Sequence, residues 1–213
     1  MSRRFSILVT AGPTREKIDP VRFISNYSTG VFGYEIARQA RRHGAIVTLI
    51  SGPTALEKPH GVKFIQVESA IDMMRAVRRE IGCADCLIMA AAVSDWRVLK
   101  EAKSKIKRGA GRKILKLIEN PDILCSVVKK SGKIFVGFAL ETKNLEKNAL
   151  KKLKDKRLDI IVANMLGNKR AAFGDNLTNI LIIDRFGSKA NITGMTKKRL
   201  AKIILDKVFN FKI

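Results

Sequence analysis

Residues 5–33 read FSILVTAGPTREKIDPVRFISNYSTGVFG, and the parsing of this stretch decides the fold. Phe5 to Thr10 is a short apolar run rich in β-formers, and it stops at a turn signal made by Ala11, Gly12 and Pro13. Farther on, Phe32, Ile36, Ala37 and Ala40 return at helical spacing around the pair Gly30 and Gly33. Ser28, Thr29 and Gly30 stand just ahead of that stripe, where the first N–H groups of a helix lack internal partners and its macrodipole is positive. A strand, a long loop and a helix start suited to phosphate is one reading. A serine N-cap with glycines for tight helix–sheet packing is the other. The glycine spacing is GxxG without the earlier glycine of a dinucleotide fingerprint, and a loop of roughly fifteen residues exceeds what a nucleotide-binding βα turn needs.

Beyond this stretch, apolar runs of strand and helix type alternate. The first helix is expected to close at His43 and Gly44 in a left-handed stop. Ile46 to Ser51 reads as a second buried strand ending in Gly52 and Pro53, Val62 to Val67 as a third, and Ser69 to Gly82 as a helix with Ile71, Met74, Val77 and Ile81 on one side. Cys86 to Ala92, CLIMAAA, has the continuous apolar character of a central strand covered on both faces. Small residues at that strand end let a planar ring approach the backbone, and Asp95 and the lysines beyond it lie in the crevice where open α/β sheets bind ligands. Lys113 to Ile118 alternates like a strand, and Asn120 is expected to cap a helix opening at Pro121 and Asp122.

Lys133 to Leu140 is a further buried strand, followed by a helix from Lys143 to about Arg157 with Leu145, Ala149 and Leu153 on its apolar stripe. Lys152 and Lys156 border that stripe, either as snorkelling lysines or as cations aimed over the sheet edge at phosphate. Asp159 to Ala163 reads as a strand, Asn176 to Thr193 as a hairpin, and Thr196 starts a last helix with Leu200, Ile203, Ile204, Val208 and Phe211 on its stripe. This series predicts an α/β fold, a Rossmann-like three-layer αβα arrangement with a mostly parallel central sheet and a C-terminal hairpin and helix. No repeat or linker divides residues 1–213, so one domain is expected.

Composition narrows the function. Lys and Arg number 42 against 19 Asp and Glu, a formal charge of +23 that attracts polyanions of every kind. Basic residues are scattered through every segment, with a local cluster at Lys147, Lys151, Lys152, Lys154 and Lys156, and aromatics amount to only 6%. Basic stretches interleaved with aromatic platforms, as a single-strand binder would use, are missing, so no specific nucleic-acid partner is expected. Cys83, Cys86 and Cys125 lack a second pair for zinc and read as small buried side chains in a reducing compartment. With His43 and His60 the only histidines, His-based metal sites and Ser/His catalysis are improbable. No secretory cleavage pattern or membrane-length run appears, and a cytoplasmic protein without membrane partners is expected.

Seven motifs, in order, carry a family resemblance: TAGPTREKIDPVRFISNYSTGVFG, the SGP of residues 51–53, AAAVSDWR from Ala90, KIK at residues 105–107, ENPDIL from Glu119, VGFALET from Val136 and DIIVAN from Asp159. Together they resemble the phosphopantothenoylcysteine synthetase family, the synthetase half of a bacterial bifunctional coenzyme A biosynthesis protein, here as a stand-alone chain. The resemblance is dense from Ile7 to Asn164. It implies a phosphopantothenate–cysteine ligase using CTP and Mg2+: the phosphopantothenate carboxylate attacks the α-phosphorus and expels pyrophosphate, then the cysteine amine displaces CMP from the acyl cytidylate. Such chemistry needs charge neutralisation more than acid or base groups.

Carried over residue by residue, the resemblance gives Asn26 the acyl cytidylate and Lys105 the triphosphate as the catalytic pair. Met89, Ala90, Ala91 and Asp95 match the strand end that receives the nucleotide, with Pro121, Asp122, Ile123, Leu124 and Phe138 on the cytidine side. Lys152 and Lys156 match paired lysines of the family, and Gly12, Ser28, Thr29, Gly30 and Gly33 fit the phosphate loop. It implies no identity for the magnesium ligands. A homodimer is implied, as is a separate phosphopantothenoylcysteine decarboxylase acting next in the pathway. Val31 stands where relatives often carry a basic residue, Leu140 replaces a small one, and the FGDNLTN segment from Phe173 follows the family pattern loosely.

Two rival classes make different demands. An NAD(P)-binding Rossmann oxidoreductase calls for an acidic residue after the second strand, where Ser51, Gly52 and Pro53 stand. A basic nucleic-acid-binding protein calls for specific affinity with steep salt dependence.

Overall fold

The computed structural model describes residues 3–109, 111–127, 132–166 and 177–211. In chain order the elements are β1 (Ser6–Ala11), β2 (Arg15–Lys17), β3 (Phe23–Ser25), α1 (Val31–Arg42), β4 (Ile46–Ser51), β5 (Lys63–Gln66), α2 (Ala70–Glu80), β6 (Cys86–Met89), β7 (Trp96–Val98), β8 (Leu117–Glu119), β9 (Ile134–Glu141), α3 (Leu145–Asp155), β10 (Ile160–Met165), β11 (Thr178–Asp184), β12 (Lys189–Met195) and α4 (Lys197–Phe209). A short 3-10 turn, Ile81–Cys83, follows α2.

One eight-stranded sheet runs in the order β12-β11-β10-β9-β6-β1-β4-β5. Strands β10 to β5 in that order are parallel, and β11 and β12 add the antiparallel edge. All four residues of β6 are buried, as a strand with helices over both faces requires. The strict alternation of strand side chains then sorts the core into two layers. Ile7, Val9, Leu49, Ile88 and Val136 pack with Ile36 and Ala40 of α1 and Leu200 and Ile204 of α4. Leu8, Ile50, Leu87 and Phe135 pack on the other side with Met73 and Val77 of α2 and Ala149 and Leu153 of α3. The expected three-layer αβα fold is what forms.

Several local expectations are corrected. Helix α2 buries Ala70, Met73, Ala76 and Val77, whereas Ile71 and Met74 are half-buried, so its inner face is rotated from the stripe of large side chains. Ser69 caps it in a reciprocal box with Asp72. The central strand β6 ends at Met89, short of Ala92, and of residues 113–118 only Leu117 and Ile118 are in a strand, because β8 pairs with the three-residue β7. No helix opens at Pro121. Asp122 Oδ1 instead accepts the Cys125 N–H at 2.9 Å within a turn, while Asn120 Nδ2 donates to the Ser94 carbonyl at 2.9 Å. Of the cysteines only Cys86 is buried; Cys83 and Cys125 are exposed. Asn176, the expected hairpin start, and Phe173 lie outside the described residues. Among the described residues no helix is long and apolar enough to cross a membrane.

Candidate active site

The carboxyl ends of β1, β6 and β9 open on one rim, where parallel α/β sheets present ligands. The long loop after β1 is not featureless: β2 and β3 pair as a small antiparallel ribbon, and the chain then returns to the rim at Asn26. Here Asn26 Nδ2 donates to the Val93 carbonyl at 3.0 Å and lies 3.3 Å from that of Ala92, tying the ribbon's end to the segment after β6.

Glycines make the rest of this rim possible. A β-carbon on Gly52 would sit 1.8 Å from the Pro13 carbonyl oxygen, and one on Gly33 would lie 2.6 Å from the Ala11 β-carbon. Gly12 and Gly30 adopt positive φ of 72° and 78°, and the Thr54 methyl would be 2.9 and 2.8 Å from β-carbons placed there. Behind them Thr54 Oγ1 donates to the Tyr34 hydroxyl at 3.0 Å, and that hydroxyl donates to Ser51 Oγ at 3.2 Å. Gly30, not a serine, is the N-cap of α1, and no side chain caps its first turn. Ser28 Oγ accepts from the Gly30 N–H, at 3.3 Å, and from no N–H inside the helix. The serine-cap reading is therefore set aside, and the positive helix end faces the cavity.

Two cavities meet along this rim. One of about 780 Å3 takes in Met89, Pro121, Asp122, Ile123, Leu124 and Lys156. The other, of about 480 Å3, takes in Asn26, Ser28, Thr29, Gly30, Gly33 and Ala90. Ala91, Val93, Asp95, Phe138 and Lys152 line both. Gly12 lies behind Gly30, on neither wall, and Lys105 is exposed on the loop between β7 and β8, also on neither wall. Every other residue expected at the site is brought to one cavity or both.

The two lysines differ electrically. Lys152 Nζ donates to the Phe138 carbonyl at 2.7 Å, and burial draws its pKa below the ordinary lysine value against the opposing fields of Glu141 and Asp95. Lys156 donates to the Asp122 carboxylate, which raises the lysine pKa. Burial pushes Asp122 upward, yet the Cys125 N–H and Lys156 leave it below the usual carboxylate range. The larger cavity thus carries Asp95, Glu119 and Asp122 against Lys152 and Lys156, too little positive charge for a triphosphate by itself. A triphosphate there would draw on further cation, from the loop of residues 100–116 with its eight Lys and Arg to one Glu, or from a metal. Among the described residues no three His, Cys, Asp or Glu side chains are placed to hold a metal alone. The oxygen donors of Asp95, Glu119 and Asp122 nonetheless suit a magnesium ion carried largely by phosphate and water.

Sequence reasoning missed Trp96 and Asn120 on the larger cavity and Tyr27 and Lys197 on the smaller. Lys197 is 6% exposed at the first position of α4, where the helix dipole disfavours a cation. That misplacement was the available signal.

The family model described as DNA/pantothenate metabolism flavoprotein C-terminal domain matches residues 3–211. The Coenzyme A biosynthesis bifunctional protein CoaBC of Bacillus subtilis (strain 168) is 42% identical over 204 residues, 95% of this chain and 50% of that protein. The protein of the same description from Escherichia coli (strain K12) is 38% identical over 211 residues, 97% of this chain and 52% of that one. The chain therefore spans about half the length of these curated relatives. A crystal structure of the C-terminal domain of a CoaBC protein superposes with a TM-score of 0.82 at 39% identity, covering 96% of this chain and 93% of that one.

Proposed function

This chain belongs to the DNA/pantothenate metabolism flavoprotein C-terminal domain family, and from that membership we propose that it joins phosphopantothenate to cysteine in coenzyme A biosynthesis. The observation that carries the reading is the common wall of the two cavities, Ala91, Val93, Asp95, Phe138 and Lys152, across which a nucleotide in one and an acyl substrate in the other would meet.

CTP occupies the larger cavity, its base against Phe138 and the turn at residues 121–124. The phosphopantothenate phosphate rests at the uncapped start of α1, beside Ser28 and Thr29. Its carboxylate attacks the α-phosphorus, the P–O bond to pyrophosphate breaks, and an acyl cytidylate forms. The cysteine amine then adds to the acyl carbon, CMP leaves, and the amine's proton passes to solvent. Lys152 and Lys105 offset the charge that gathers on the leaving groups, and Asn26 orients the acyl carbonyl. Asp95 and Glu119 would hold magnesium, which supplies charge neutralisation at the phosphates. The protein acts as a homodimer, and its product passes to a phosphopantothenoylcysteine decarboxylase.

The dinucleotide alternative is disfavoured by the end of β4, where Gly52 lies against the Pro13 carbonyl and leaves no acidic side chain for a ribose. The test is pyrophosphate release with CTP against ATP. Release is expected only with nucleotide, magnesium and phosphopantothenate together, and product only once cysteine is added. Equal nucleotide consumption without the pantothenate substrate would contradict the assignment. Sedimentation checks the dimer.

A further inference from the structure

The turn between β2 and β3 holds a carboxylate that the cavities do not explain. Asp19 is 1% exposed. Its Oδ1 accepts the N–H groups of Val21 at 2.8 Å and Arg22 at 2.9 Å, which is all that an aspartate-stabilised turn requires. Its Oδ2 accepts Arg22 Nε at 3.0 Å and Arg22 Nη2, and also the N–H of Ile106 at 3.1 Å, from a distant loop. Arg22 Nη2 donates in turn to the Ile106 carbonyl at 2.8 Å, and the Ala102 N–H donates to the Ile18 carbonyl at 3.0 Å.

One ion pair, its carboxylate buried and its guanidinium half exposed, therefore takes up both backbone polar groups of the residue beside Lys105. The Arg22 guanidinium, helped by the backbone donors, holds the Asp19 carboxyl far below the usual range, so the clasp stays charged at working pH. On the other side of Arg22, only β3 separates the clasp from Asn26, about 13 Å of extended chain.

We propose that Asp19 is a positioning residue for the ligation, fixing the Lys105 segment to the same ribbon strand that delivers Asn26. The cation for the nucleotide and the amide for the acyl group then keep a set separation, although they lie far apart in sequence. This rests on the roles given above to Lys105 and Asn26.

Asp19→Asn keeps an oxygen for the turn and turns a donor toward the Ile106 N–H. Expected is a kcat for pyrophosphate release lowered about a hundredfold, with nucleotide KM far less changed. Adding Lys105→Ala to Asp19→Asn should lower kcat by less than about twofold more, because both changes remove one contribution. Losses that multiply overturn the proposal, as does an unaltered rate in Lys105→Ala alone. Limited trypsin digestion reads the clasp without activity: cleavage after Lys103, Lys105 or Lys107 should quicken about tenfold in Asp19→Asn, and a wild-type rate overturns the proposal. Arg22→Lys, which keeps the charge but loses the bond to the Ile106 carbonyl, should give the same cleavage result if Asp19→Asn does not fold. Were the wild type to show no turnover, the ligase reading would fall, and the cleavage rates would still decide the clasp.

Discussion

Around Gly12, Gly30 and Gly52 three chain segments lie so close that no β-carbon fits, whereas the basic loop of residues 100–116 is tied to the neighbouring ribbon by hydrogen bonds at Ile18, Asp19 and Arg22. The first region gains its accuracy from steric exclusion, which neither salt nor pH alters. The second keeps its cations in water, where they cost little to carry, and locates them through a single desolvated carboxylate. Substitutions should therefore damage the first through folding and the second through chemistry.

The sharpest way to break this contrast is Gly52→Ala. Its β-carbon would meet the Pro13 carbonyl oxygen at 1.8 Å, and backbone cannot yield as a side-chain tip does. A loss of about 4 kcal/mol in denaturant unfolding is expected. Next comes Lys105→Ala, which should lower the rate of pyrophosphate release about a hundredfold while leaving stability within about 0.5 kcal/mol. A matching loss of stability would place Lys105 with the packed region and end the distinction.

Lys152 falls between the two regions, being both half-buried and charged. Lys152→Met removes an ammonium that burial disfavours, so stability should hold or rise by about 1 kcal/mol as nucleotide binding weakens. Its pH behaviour has a definite sign. Because the folded pKa lies below 10.5, its charge is lost earlier on raising pH than an unfolded lysine's. The penalty for burying that charge is fully present below the folded pKa and disappears as pH rises through it toward the unfolded value. Nucleotide affinity should thus fail on an alkaline limb below 10.5, and Lys152→Arg should remove the limb. The smallest effect belongs to Gly109→Ala, in the basic loop with nothing within 4 Å of the added carbon, which should change stability by less than about 0.5 kcal/mol.

The same contrast governs what could be read from sequence. Strands buried on both faces announce themselves as apolar runs, so β1, β4, β6, β9 and β10 were legible to within a few residues. Helix α2 misled because its inner face is built partly from Ala70 and Ala76, which a stripe of large side chains does not register. The ribbon of β2 and β3 went unseen because REK and FIS are too short and mixed to alternate, although Asp19 and Pro20 between them were a turn signal. Asn120 looked like a helix cap, but its amide is engaged by Ser94 across the cavity wall, a partner 26 residues away that no local pattern reveals. Most of the site residues came from the family motifs. Chemistry alone pointed to the loop before α1 as one suited to phosphate, and it left Lys152 and Lys156 evenly divided until the family motifs weighed toward function; their partners then proved to be the Phe138 carbonyl and the Asp122 carboxylate.

Trp96 is the chain's sole tryptophan, and it stands in the wall of the larger cavity at 45% exposure. Its indole emission therefore comes from one known spot, and any base, ribose or phosphate settling nearby alters the polarity that this ring senses. The protein carries its own optical reporter, by which occupancy of the larger cavity can be followed without a label.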